Sequence, residues 1–117
     1  MPDLADPAVD DAVLAEVLES TGGDREFLRD LIRTYLDDAP RQLAALRQAA
    51  SSGTADGVAR AAHALKGASA SLGAAGLAER SRVFELAARA GRLDDAGDQI
   101  SELETEFQRV REALLAI

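Results

Sequence analysis

The sequence predicts an all-α fold, an antiparallel up-down-up-down four-helix bundle with an additional short N-terminal helix, and three observations carry that prediction. Apolar residues recur at i, i+3, i+4 and i+7 along several stretches, the period of amphipathic helices. Hydrophobic residues make up 47% of the chain but aromatics only 3%, with Ala and Leu far outnumbering the β-branched and aromatic residues that favour strands. The breaks between the periodic stretches are short and rich in glycine, which leaves consecutive helices antiparallel. At 117 residues the chain suits one domain, able to bury roughly two thirds of its unfolded surface in a single core.

Taken in order, residues 1–8 read as a disordered lead, rich in Asp and carrying Pro2 and Pro7, and residues 9–117 as the bundle domain. A short helix is expected from about Val9 to Ser20, contributing Val13, Leu14, Val17 and Leu18, with Thr21-Gly22-Gly23 as its stop. Asp24 then stands where an N-cap belongs. The second helix is expected over about Arg25 to Ala50, with an apolar stripe of Phe27, Leu28, Leu31, Ile32, Tyr35, Leu36, Ala39, Leu43 and Leu46. Pro40 interrupts the backbone bonding but not the phase of the stripe, so one helix kinked near Leu36 to Pro40 is expected, not two helices.

Ser51-Ser52-Gly53 ends that helix, and Thr54 or Asp56 can cap the next, expected over about Ala55 to Leu72. Centred on Leu65, its buried face holds Val58, Ala61, Ala62, Ala68, Ser69 and Leu72. Gly73 stops it, and Ala74-Ala75-Gly76 reads as a tight turn into a fourth helix expected over about Ala75 to Ala90, packed through Leu77, Phe84 and Ala88. After Gly91, Leu93-Asp94-Asp95 leads into a last helix reaching Leu115. Its seam is Ile100, Leu103, Phe107, Val110, Leu114 and Ile117.

Composition removes several kinds of function. A formal charge of −8 opposes binding to nucleic acid or to an anionic membrane. Without cysteine there is no disulfide, thiol nucleophile or zinc–thiolate site. The start, Met1-Pro2-Asp3-Leu4, lacks the basic and apolar regions of a signal peptide. No apolar run approaches the ~20 residues that span a bilayer. The expectation is a cytoplasmic protein.

The chemistry concentrates at His63, the only histidine, with the only lysine, Lys66, at i+3 and Gly67 at i+4. His63 points away from the Leu65 face, with Gly67 and Ala70 beside it and Lys66 at the flank. A lone solvent-facing histidine most often does nothing, but three features point the other way. Gly67 sits mid-helix at a cost of ~1 kcal/mol relative to alanine, which calls for close approach by another surface. Small residues, Ala59, Ala70 and Ala74, are expected to surround the imidazole and leave it proud. Counting outward from Ala74, His63 and Glu85 each lie eleven residues from the hairpin centre, so a carboxylate faces the ring. Glu85 can accept the Nδ1–H of His63 and leave the lone pair on Nε2, or make a surface pair with Arg89 at i+4, or both. Lys66 would set an ammonium against a phosphoryl group on Nε2. Arg89 is a possible auxiliary cation, with Arg60 and Arg82 less distinctive at the same level of the bundle.

The run His63-Ala64-Leu65-Lys66-Gly67-Ala68-Ser69-Ala70-Ser71-Leu72-Gly73-Ala74 resembles the signature of the histidine-containing phosphotransfer (HPt) domain, H-x-L-K-G-x-S/A-x-x-L-G-A, at every fixed position. Gly22-Gly23-Asp24-Arg25-Glu26-Phe27-Leu28 and Glu85-Leu86-Ala87-Ala88-Arg89 are similar to the family's second-helix start and to its acid-then-base stretch. The resemblance implies a two-component phosphorelay. His63 takes a phosphoryl group from the aspartate of one response-regulator receiver domain and passes it to another. Lys66 positions the phosphoryl, Gly67 gives docking clearance and Glu85 orients the ring. It also implies a carrier and not a stand-alone kinase or enzyme, with no cofactor of its own, the Mg²⁺ being supplied by the partner receiver. Receiver domains and a hybrid histidine kinase are the implied partners, and a monomer is expected because the core stripes are accounted for within one bundle.

Other readings fit less well. A helical adaptor in which His63 is incidental leaves Lys66, Gly67 and Glu85 unexplained. A phosphoacceptor domain cut from a larger hybrid histidine kinase is compatible, but no glycine-rich nucleotide box is present, so any kinase is expected to be separate. An acyl carrier needs Asp-Ser-Leu at a helix start, whereas Ser71-Leu72 follows Ala70 at a helix end. A general-base enzyme lacks a nucleophile and oxyanion donors beside His63, and a metal site has one histidine and scattered carboxylates to work with.

Overall fold

The computed structural model describes residues 7–117, and its first two helices begin at side-chain caps. The helices are α1 (Asp11–Ser20), α2 (Arg25–Ser51), α3 (Ala55–Ser71), α4 (Ala75–Arg89) and α5 (Ala96–Leu115). Asp10 caps α1 through Ala12 N–H, and Asp24 caps α2 through Phe27 N–H at 3.0 Å. Thr54 occupies the N-cap position of α3 but makes no side-chain cap bond. At the other ends, amides of Gly23, Thr54, Ala74 and Arg92 return to carbonyls five residues back, at 2.8–2.9 Å. These are the closing bonds of helix stops that turn on the preceding residue.

α2 continues as a single helix through Pro40, which lies on its exposed side. α4 begins at Ala75, where the sequence places it. Gly76 belongs to the first turn of α4, and a Cβ there would stand 3.2 Å from Glu106 Oε1. The disordered lead expected over residues 1–8 lies, for residues 1–6, outside the described residues. Ala8 already packs against the core, and Val9 is buried.

α3 packs on α2 and α4, and α5 packs on the same two, which closes a four-helix ring with α1 laid on α2. The ring buries Leu46, Val58, Leu65, Leu77, Phe84, Ile100, Leu103 and Val110. Polar bonds fix the register of the neighbours. Tyr35 Oη and Ser69 Oγ, both buried, lie 2.9 Å apart between α2 and α3. Arg47 bonds Glu104 and Ser101 from α2 to α5, and Arg80 bonds Glu102 from α4 to α5. No buried side-chain nitrogen or oxygen among the described residues lacks a partner.

Two apolar residues assigned to the stripes lie outside the core. Phe27 is 45% exposed, because it falls in the first turn of α2, beyond the end of α3. Ile117 is 57% exposed, because α5 ends at Leu115 and the helical register no longer turns the side chain inward. Among the described residues no helix is long and apolar enough to cross a membrane.

Candidate functional site

α3 supplies His63, Lys66 and Gly67, and α4 supplies Glu85 and Arg89. The α3–α4 hairpin brings Glu85 opposite His63, where equal counting from Ala74 puts it. His63 Nδ1 lies 3.1 Å from Glu85 Oε2 and 3.2 Å from Oε1. Lys66 Nζ reaches Oε1 at 3.1 Å, and Arg89 Nη2 and Nε reach Oε2 at 2.8 and 3.0 Å. One carboxylate thus meets three side chains from two helices.

Glu85 is only 6% exposed. Burial pushes its carboxyl up, but the hydrogen bonds from Arg89 and Lys66, the Lys66 charge and the His63 bond outweigh that and hold it at about 2. It is therefore ionised at neutral pH and can only accept. Nδ1 must then be the protonated nitrogen of the neutral ring, which leaves the lone pair on Nε2. The His63 side chain keeps 61% of its surface in water.

The open strip around the ring differs from the expected one. Ala59 and Ala74 are buried, at 1% and 0% exposure. Ala59 sits on the same flank of α3 as Lys66, the flank α4 covers, and Ala74 sits in the turn beneath α1. The exposed neighbours are Arg60, Ala64, Gly67, Ala70 and Ser71. A Cβ on Gly67 would meet nothing within 4 Å, so nothing inside the chain requires glycine there. The small residue matters only to something that approaches from outside.

Lys66 is also placed differently from the sequence reading. It rests on Glu85, not free at the flank, because Glu85 lies one helical turn from the position opposite Lys66 and a lysine spans that distance. The sequence carried no direct signal for this pair. Arg60 pairs with Asp56 and Arg82 with Glu79, so neither joins the cluster. Among the described residues no three His, Asp or Glu side chains converge as metal ligands.

Fold and site together define a class, a small helical bundle whose single solvent-facing histidine is anchored by a buried carboxylate. The chain belongs to the Hpt domain family, whose model matches residues 30–113. It is similar to histidine-containing phosphotransfer protein B (HptB) from Pseudomonas aeruginosa. The two are 32% identical over 96% of this chain and 95% of that one, with a TM-score of 0.88. The HPT domain of a sensor hybrid histidine kinase from Shewanella has the same fold, with a TM-score of 0.70 at 19% identity over 88% of this chain and 89% of that one. A comparison with curated proteins found no match. Membership carries the role of a histidine phosphotransfer protein in a two-component relay.

Proposed function

We propose that His63 is the phosphoryl carrier of this protein, accepting the group on Nε2 from a receiver-domain aspartyl phosphate and passing it to the aspartate of another receiver. The observation that carries this reading is the ionised Glu85 holding Nδ1–H at 3.1 Å while Nε2 faces open solvent beside Gly67. The Nε2 lone pair forms the N–P bond as the acyl oxygen–phosphorus bond breaks, and the receiver aspartate leaves as a carboxylate. The ring gains positive charge in that step, and Glu85 sits where it stabilises that charge.

Lys66 and Arg89 belong to the same design. Both rest on Glu85 in the free chain, beside the ring, and a cation turned toward a phosphoryl group on Nε2 would offset the charge of its oxygens. Phosphoryl transfer proceeds through a loose transition state, so positioning and neutralisation supply most of the acceleration. This chain contributes nucleophile, tautomer and cations. The Mg²⁺ that neutralises the aspartyl phosphate is held by the receiver's own carboxylates. The protein is thus a carrier that works between receiver domains and a hybrid histidine kinase, as a monomer and in the cytoplasm, where those partners present their aspartates.

Incubation with a phosphorylated receiver domain tests the reading. Label should appear on the wild-type chain as acid-labile, base-stable phosphate and be absent from His63→Gln. Full labelling of His63→Gln would refute the assignment.

A further inference from the structure

A second surface lies at the far end of the bundle. Leu14, Ala15 and Leu18 of α1, Leu28 of α2 and Ile117 line an open groove of about 290 Å³, with Arg25 and Arg29 on its rim. The Tyr35–Ser69 bond sets α2 against α3, so His63 is level with about residue 41 of α2. The groove lies roughly a dozen residues further along, about 20 Å at 1.5 Å per residue. It also opens on the other side of α1 from Val13, which lines the shallow hollow beside Lys66.

The charges at the rim set it apart. Arg33, Arg41, Arg47, Arg60, Lys66, Arg80, Arg82, Arg89 and Arg109 each pair with a carboxylate. Arg25 and Arg29, like Arg92 and Arg111, are exposed and pair with none among the described residues, but of these four only Arg25 and Arg29 line the groove, in a chain of charge −8. Asp11 on the opposite wall is the one acidic side chain in the groove's lining. Apolar floor and unpaired cations together call for a partner that is apolar on one face and acidic at its edges.

A second copy of the chain does not meet that description. Its exposed large apolar residues are Phe27, Val83, Leu86, Leu115 and Ile117. Phe27 stands between Arg25 and Arg29, Val83 follows Arg82, Leu86 precedes Arg89 by three, and the last two follow Arg111. None of these residues is flanked by acids alone, as the groove's cations require.

We propose that this groove docks an acidic amphipathic helix of a partner protein. Its apolar side chains rest on Leu14, Leu18, Leu28 and Ile117, and its carboxylates pair with Arg25 and Arg29. This is helix-in-groove recognition, and it leaves the His63 face free for a receiver at the same time.

The test titrates the full ¹⁵N-labelled chain with a synthetic helical peptide bearing leucines at i, i+3, i+4 and i+7 flanked by glutamates. A counterpart with lysines in place of the glutamates is the control. The glutamate peptide should shift the amides of Leu14, Leu18, Leu28 and Arg29 and bind more tightly at low salt. The doubly charge-reversed variant Arg25→Glu/Arg29→Glu should bind it about tenfold more weakly and take the lysine peptide instead. Circular dichroism should show that the variant is folded, and phosphoryl uptake at His63 should be unchanged. Shifts confined to other surfaces, no shifts, or equal binding of both peptides would overturn the proposal. So would a concentration-dependent dimer dissolved by Ile117→Glu, which makes a second copy the occupant. Loss of phosphoryl uptake in the folded charge-reversed variant would do the same, since it assigns the groove to receiver docking.

Discussion

Replacing Glu85 with glutamine keeps the size of the buried side chain and removes its charge. In the wild-type chain burial raises the carboxyl, but Arg89, Lys66 and His63 together bring it from 4.5 to about 2. Because the folded value lies below the unfolded one, the unfolded chain takes up this proton first as pH falls. The contribution to stability is therefore complete above about pH 4.5, erodes below that, and is lost as pH falls through about 2. The gap corresponds to about 3 kcal/mol at neutral pH. The His63, Lys66 and Arg89 side chains keep 61%, 31% and 52% of their surface in water. Solvent screening reduces the figure to about 1–2 kcal/mol. At pH 3 linkage leaves roughly two fifths of the neutral-pH value. Urea unfolding of wild type and Glu85→Gln at pH 7 and pH 3 measures both quantities. The difference between the two proteins should shrink by more than half at the lower pH. An equal difference at both values, or none at pH 7, would refute the reasoning. Phosphoryl uptake should also fall about ten- to a hundredfold in the variant, by comparison with the loss when the group orienting a metal-bound imidazole is removed.

Three further substitutions separate scaffold from site. Gly67→Ala should raise stability by up to ~1 kcal/mol, because the added Cβ meets open space on a helix. Gly67→Leu should fold equally well yet slow transfer from a receiver, and thermal melts with a transfer assay read both; unimpeded transfer would move the docking face elsewhere. Gly73→Ala should be the costly glycine change. Its φ is +78°, and the new Cβ would stand 2.8 Å from Asp10 O and 3.0 Å from Val13 Cβ. A loss of about 2 kcal/mol or more is expected, with faster hydrogen exchange in α1 because the Asp10 N–H bond to Gly73 O is strained. Tyr35→Phe should cost about 1–2 kcal/mol by stranding the buried Ser69 hydroxyl. A double-mutant cycle with Ser69→Ala should then show coupling; its absence would mean that Ser69 satisfies itself on its own helix.

The helices were legible in the sequence because their periodicity, caps and stops agree. Asp24 and the glycine stops place boundaries within a residue or two of those observed. The His63–Glu85 pair was legible because a tight hairpin makes equal counting a fair ruler. The same ruler could not find Lys66 on Glu85, since side-chain reach, not backbone level, makes that contact. It also could not tell which alanines stay exposed. Ala59 and Ala70 lie on neighbouring lines of the same helix, yet one is covered and the other open. Phe27 and Ile117 failed for a related reason. Periodicity predicts the direction a side chain faces but not whether a neighbouring helix extends far enough to meet it.

The central claim is that the phosphoryl group resides on His63 Nε2 while Nδ1 keeps its proton on Glu85. Nuclear magnetic resonance of the chain, ¹⁵N-labelled at histidine and phosphorylated by a receiver domain, tests it directly. The account predicts phosphorus coupling to Nε2 of the single imidazole and a retained, exchange-protected Nδ1–H. Coupling to Nδ1, or phosphate on any residue other than His63, would contradict it.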